Sequence, residues 1–267
     1  MPAAGRVRAY PGEGVAGDVD YYLAYTDTEY DGYQQHAAGD GKGAMANVGW
    51  QITPQLETRF YMRYRETDND LAGRVTKHSI EHDPRAANPA YVSRDDRRKQ
   101  PGSTFIGNKT TFYLDDDSSI ETGLAWHDYP MDLREGPNRL KVAYADVSGT
   151  FDYKRRDALW GLQSRTTVGL RVTKHLPNAG ASELVRIPGG NTAGYAPGTH
   201  MRNFTYQGSD TVLHAGNDLE IADDLWLTTG LAAIYTRRES AVTYPEGGGK
   251  TSMGDWDYAP RLGLRYQ

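Results

Sequence analysis

The sequence predicts an all-β chain, an antiparallel transmembrane β-barrel segment of about ten strands. Three observations carry that reading. Segment after segment alternates apolar and polar side chains with period two, as a strand with one oily and one wet face must. The connections between these segments alternate short and long. The chain holds 19 Tyr and 30 Gly in 267 residues, a composition that leans towards β-structure.

Taken in order, 18–26 places Val19, Tyr21, Leu23 and Tyr25 on one face. Residues 44–52 place Ala44, Ala46, Val48, Trp50 and Ile52 together. Residues 56–65 set Phe60, Met62 and Tyr64 against Glu57, Arg59, Arg63 and Arg65. The segments 106–114 and 120–126 follow, with Ile106, Phe112, Leu124 and Trp126 on their apolar faces. A weaker strand falls near 142–154, and the next, 160–172, aligns Trp160, Leu162, Val168, Leu170 and Val172. The segments 211–221, 225–235 and 258–266 complete the set, with Leu213, Leu231 and Leu262 on their oily sides. The apolar faces chosen in this way carry no charge, whereas the opposite faces hold Glu121, Arg165, Arg171, Asp218, Glu220, Arg261 and Arg265.

Short turns are expected at 53–55, 115–118 and 222–224, with another near Arg156-Asp157. Long loops are expected at 28–42, 67–103, 128–140, 174–209 and 239–256. Short turns at one end and long loops at the other are the layout of an outer-membrane barrel. Structureless loops of that length are unusual in a compact soluble domain. The rival reading, a soluble sandwich with its arginines in water, explains the alternation but not this asymmetry. No run of about 18 apolar residues occurs, so no helix is expected to span. A β-strand spans with about 9–11 residues, half of them polar. Aromatic girdles are expected from Trp50 and Trp160 at the short-turn ends and from Tyr25 and Tyr64 at the other.

Composition excludes several functions. The net charge of −5 does not suggest nucleic-acid binding. With no cysteine there is no disulfide, zinc-thiolate site or thiol catalysis.

Five stretches occur together in this order: DVDYYLAYTDTEYDGYQQH, NVGWQITPQLETRFYMRYRET, DLAGRVTKHSIEHDPRAANP, VLHAGNDLEIADDLWLTTGLAAIYTRR and YAPRLGLRYQ. In that order they resemble TonB-dependent outer-membrane receptors of the ferric-siderophore type. The third resembles the loop that usually reads LPG…LT…DP…A.P, with Ala72-Gly73 in place of Pro-Gly. The resemblance implies a piece of a 22-stranded barrel, with residues 1–267 as a partial barrel domain and the plug domain expected to be absent. It implies outer-membrane lipid, a ferric siderophore as transported ligand, and a TonB complex acting through the missing plug as partners. It implies no enzymatic activity, no resident metal and no cofactor. A piece of that kind leaves two strand edges that lipid cannot satisfy. Two alternatives stand beside it: a ten-stranded outer-membrane protease, suggested by His127 beside Asp128, and a small passive pore.

With strands running upward into the long loops, Arg63, Arg65, His127 and Arg171 are the candidate ligand-binding residues near the outer mouth. Arginine offers a planar fork to the carboxylates of an anionic chelate. Glu57, Arg59, Arg165, Asp218 and Glu220 lie deeper and are the residues a plug would meet. Four further motifs have plainer readings. His78-Ser79-Ile80-Glu81-His82 fits H-x-x-E-H, whose chemistry needs a helix and a third metal ligand downstream; Asp83-Pro84 reduces it to a short surface helix. Gly247-Gly248-Gly249-Lys250-Thr251 lacks the earlier glycine of a phosphate loop. Asp115-Asp116-Asp117 reads as a tight turn and Arg94 to Lys99 as a solvated charge run, although either could draw an ion.

Overall fold

Eleven strands run antiparallel in chain order in one sheet, β1 at one edge and β11 at the other. The structure is a computed structural model and describes residues 5–136, 138–184 and 198–266. The strands are β1 (Gly5–Ala16), β2 (Val19–Tyr30), β3 (Gly39–Thr53), β4 (Leu56–Asp70), β5 (Arg97–Tyr113), β6 (Ser118–Glu135), β7 (Asn138–Leu159), β8 (Leu162–Leu184), β9 (His200–Ala222), β10 (Leu225–Tyr244) and β11 (Lys250–Tyr266). Two short helices, α1 (Lys77–His82) and α2 (Pro89–Arg94), sit between β4 and β5. No helix among the described residues is long and apolar enough to cross a membrane.

All ten expected strands are present, and β1 is added to them. Its sequence, GRVRAYPGEGVA, spreads three glycines and Pro11 over twelve residues, which erases the alternation. Proline is tolerated there because β1 is an edge strand. The turn expected near Arg156-Asp157 falls instead at Trp160-Gly161, where both residues have positive φ (54° and 80°). That pair closes a two-residue hairpin between Leu159 and Leu162, the geometry that suits strand twist. Trp160 therefore belongs to the turn, 83% exposed, and not to a strand face.

The other correction concerns the long loops. β6 and β7 stay paired out to Glu135 and Asn138, so 128–135 and 138–140 are arms of one extended hairpin. β10 and β11 stay paired out to Ala241 and Lys250. β8 and β9 have 23 residues each, more than twice what about 9–11 spanning residues require. The asymmetry between the two ends is real, but it is built largely of ladder, not coil. Only 31–38 and 71–96 are substantial non-strand connections among the described residues.

Register fixes the two faces. One row across the sheet reads Val168, Ala215, Leu231 and Pro260, all on the apolar face. On β10 this face runs from Leu225 to Tyr235 and meets charge at the next outward position, where Arg237 aligns with Ser209 and Lys174. Eleven residues is the height of a bilayer-spanning strand. Leu124, Phe60, Leu213 and Leu262 are 68%, 52%, 52% and 80% exposed on this face.

The other face is polar and holds itself together by charge. Arg59 on β4 donates to both Asp20 carboxylate oxygens on β2, at 2.8 and 2.7 Å, reaching over β3 between them. The β3 residue in that row is Gly49, and a Cβ there would overlap the guanidinium and the Asp20 carboxylate. The same arrangement recurs on β7–β9, where His214 Nε2 lies 2.9 Å from Asp152 Oδ1 over Gly169 of β8. Lys109 and Lys154 close on Glu121 from either side at 3.2 and 2.6 Å. Side chains on second-neighbour strands thus meet through glycine openings in the strand between.

Two measurements test this sidedness. Leu231→Arg is expected to cost roughly 2–4 kcal/mol in vesicle-refolded protein, and Ala232→Arg, one residue away on the polar face, much less; equal costs would remove the assignment of faces. Gly169→Ala is expected to destabilise by about 1 kcal/mol or more. In a double-mutant cycle with His214→Ala that cost should largely vanish.

Candidate functional site

At the long end of the strands the polar face opens into a cavity of about 590 Å³. It is lined by aromatic rings from Tyr129, Tyr144 and Tyr206, by His127 and His175, and by Asp146 and Arg238. Strand extension puts them there. Tyr129 lies past the apolar band on β6, Tyr144 on β7, His175 on β8 and Tyr206 on β9. Their spacing places all four on the polar face, Tyr129 opposite Tyr144 and Asp146 opposite His175.

The cavity floor is one hydrogen-bonded chain. His175 lies between two carboxylates, Nδ1 2.7 Å from Asp146 Oδ1 and Nε2 3.0 Å from Asp210 Oδ2. Asp210 also accepts from Arg238 at 2.8 Å and from Thr236 at 2.9 Å. Above it, Tyr144 and Tyr206 pack with ring centroids 4.9 Å apart, and the Tyr206 hydroxyl donates to the Ala143 carbonyl at 2.7 Å. Burial and the neighbouring Tyr144 push the Tyr206 phenol well above its ordinary value, so it serves as a neutral donor.

A second groove of about 310 Å³ is lined by Thr26, Thr28, Arg63, Arg65 and Asn69. A row of side chains joins groove to cavity. Arg63 lies 5.9 Å from the Phe105 ring centroid, Phe105 is 6.1 Å from His127, and His127 is 6.3 Å from Tyr129. Arg98 donates to the Tyr129 hydroxyl at 2.7 Å. Cationic and aromatic groups therefore form one band along the mouth.

Of the candidate ligand residues, His127 lines the cavity, Arg63 and Arg65 line the groove, and Arg171 lies on the same face opposite Thr150 and Val212. Arg171 lines neither opening. All of the deeper residues fall on the polar face near the short-turn end. Glu57 pairs in register with Thr111, and Arg59 is held by Asp20 and Asn47. Arg165 lies 4.5 Å over Trp226, with Arg265 5.6 Å from the same ring. Asp218 accepts from Thr228 at 2.5 Å, and Glu220 from the Asp224 N–H at 3.3 Å. Asp128 does not pair with His127: its carboxylate accepts the Thr104 N–H at 2.5 Å, where β5 bulges against β6.

The charge run 94–99 is solvated only in part, with Asp95 and Arg98 exposed. Asp96 is fully buried and Arg94 is 9% exposed, joined at 2.6 Å. The Asp96 carboxylate also accepts the Gly136 N–H at 3.2 Å, and its carbonyl accepts the Leu71 N–H at 3.0 Å. His36 Nε2 lies 3.0 Å from the same carbonyl. One residue thus ties together three connections at the long end. His36, Asp70 and Asp95 gather there with ligand atoms within 4.8 Å of one another. Arg97 stands among them, 2.8 Å from Asp95 and 3.6 Å from Asp70, and supplies the positive charge.

No family model matches the chain, and no curated protein matches it. Solved structures do. The ferric citrate transporter FecA in its unliganded form superposes over 99% of this chain with a TM-score of 0.83 at 12% identity. P. aeruginosa FpvA bound to heterologous pyoverdines gives 0.76 at 12% over 99%, and the siderophore receptor PiuA from Acinetobacter baumannii gives 0.75 at 13% over 99%. The fold is that of a siderophore-receptor barrel. The chain spans 39%, 39% and 46% of the length of those three proteins. The motif resemblance is met at the level of fold, and the neighbours are transport and receptor proteins, not enzymes.

The tall hairpins carry their own ionic ties. Arg139 donates to both Asp132 oxygens at 2.8 and 2.5 Å, and this guanidinium holds the Asp132 carboxyl below its ordinary value. A depressed carboxylate contributes stability above its unfolded value, which is lost as pH falls through the folded one. Protection of the amides at the tip of the β6–β7 hairpin, taken relative to their intrinsic exchange rates, is therefore expected to hold from neutral pH to roughly pH 5 and to give way to fast exchange below about pH 4. Asp132→Asn should show the fast exchange already at neutral pH.

Proposed function

We propose that this chain is the ligand-facing part of the barrel of a TonB-dependent outer-membrane receptor, and that the receptor takes up a ferric siderophore. The observation that carries the reading is the continuous band from Arg63 through Phe105, His127 and Tyr129 to Arg238, placed at the long-strand mouth of a siderophore-receptor fold. Arginine forks suit the oxygens of an anionic chelate, and tyrosine rings and hydroxyls suit its flat organic arms.

In this reading the apolar face lies in outer-membrane lipid and the long strands stand outside the cell. Glu57, Arg59, Arg165, Asp218 and Glu220 face a plug, and the TonB complex supplies energy through that plug. The polar face needs no cofactor of its own, because the iron is cargo. β1 and β11 then pair with the remaining strands of the barrel, as the bilayer requires of every edge.

The test uses the complete receptor in detergent, with tyrosine and tryptophan fluorescence read during titration with ferric citrate and with ferric catecholate and hydroxamate chelates. One of these classes is expected to bind, and Arg63→Gln with Arg65→Gln is expected to weaken it at least tenfold. Tyr206→Phe should weaken it less. Binding that ignores the arginines and the Tyr144–Tyr206 pair alike would sink the assignment of the mouth.

A further inference from the structure

The H-x-x-E-H stretch takes no part in the cavity, yet its two histidines are arranged for a purpose of their own. α1 begins at an N-cap, Thr76, whose side chain accepts the Ser79 N–H at 3.1 Å, and closes with the Asp83 N–H donating to the Ser79 carbonyl at 2.8 Å. Between these caps His78 and His82 are one helical turn apart and both exposed. Their rings lie side by side with centroids 3.9 Å apart.

One ring is already fixed in tautomer. His82 Nδ1 lies 2.8 Å from the His78 carbonyl oxygen, and a carbonyl can only accept, so Nδ1 carries the proton. The lone pair of the neutral ring is then on Nε2. A ligating histidine is oriented in the same way, with its other nitrogen donating to a backbone carbonyl. The rings are tilted by 41°, and a small outward rotation of the two exposed side chains lets both nitrogens converge on one cation at metal–nitrogen distances of about 2.0–2.1 Å. Glu81 faces Lys77 at 3.7 Å, which offsets the positive charge of Lys77 on the helix.

The helix is also anchored. Arg85, just beyond it, donates from Nε to the Tyr33 carbonyl at 3.1 Å, and its own carbonyl accepts the Gln35 N–H at 2.8 Å. Asn88 donates to the Arg74 carbonyl at 2.8 Å on the other side of the helix. The two histidines are presented on a bound platform at the long end of the sheet.

We propose that His78 and His82 form a chelating site for one late divalent transition-metal cation, with water completing the coordination. Two exposed imidazoles favour Cu²⁺ over Ni²⁺ and Zn²⁺, and exclude Mg²⁺ and Ca²⁺ by ligand type. Among the described residues no third His, Asp or Glu ligand atom gathers with this pair, so the arrangement lacks the third protein ligand that hydrolytic chemistry needs.

The test is histidine-by-histidine labelling with diethyl pyrocarbonate, read by mass spectrometry on the full chain in micelles whose strand content is confirmed by circular dichroism. Zn²⁺ and Cu²⁺ are titrated as probes. The expected result is joint protection of His78 and His82, with one midpoint for both and a lower midpoint for Cu²⁺. In His78→Gln the midpoint for His82 should rise at least tenfold, and the converse should hold in His82→Gln. Both substitutions are on exposed positions of a surface helix and leave the sheet untouched. Labelling of the two histidines that ignores both metals, or a protection midpoint for either that rises less than tenfold on loss of the other, overturns the proposal.

Discussion

In the proposed membrane setting every backbone N–H and C=O in the apolar band needs a partner inside the sheet, because lipid offers none. The antiparallel ladder is the device that meets this need, and the rest of the structure follows from it. The described residues build no second layer. Among the described residues the buried apolar side chains are only Ala72, Ala87, Val142, Leu219 and Trp226, and two of these, Ala72 and Ala87, are in the β4–β5 connection. A single sheet with both faces open has no interior of the ordinary kind. Its outer face is completed by lipid in the proposed setting, and its inner face by ion pairs and hydrogen bonds.

That division explains where charge appears. Arg59–Asp20, Lys109–Glu121–Lys154, His214–Asp152 and the Asp146–His175–Asp210–Arg238 chain all lie on the inner face. Each ties strands together across the sheet, as a hydrophobic core would in a sandwich. The same face becomes the mouth where strands outgrow the apolar band, so binding groups and structural groups are one continuous lining. Above them, buried Asp96 does for the connections what the ladder does for the strands.

The fold was legible because period two is a strong signal when one face must be apolar over the height of a bilayer. Phe60, Met62, Leu231 and Leu264 stand where their alternation puts them. The signal fades where that demand ends. Beyond the band both faces of a strand meet water, so alternation is no longer enforced, and 128–135, 138–140, 174–184, 200–209 and 239–244 read as loop while forming ladder. The cavity was missed for this reason: Tyr129, His175 and Tyr206 lie in those stretches. The clue available was their aromatic content, since Tyr129, Tyr144 and Tyr206 are β-formers in Gly- and Asp-rich surroundings. His127, Arg63 and Arg65 were reachable because they sit at the top of the band, where the phase can still be counted. The burial of Arg94 and Asp96 was not, because a charge run looks the same whether it is solvated or folded onto itself.

The glycine openings at Gly49 and Gly169 carry a consequence for assembly. A slip of one residue between strands turns every side chain to the wrong face and, in the proposed setting, is rejected by lipid. A slip of two residues keeps the faces intact and would pass that check. It would, however, bring Asn47 or Gln51 opposite Asp20 in place of Gly49, and Thr167 or Arg171 opposite Asp152 in place of Gly169. Each of these side chains would obstruct the opening through which the ion pair forms. Each triple therefore acts as a proofreading key, which only the native alignment of three strands can turn.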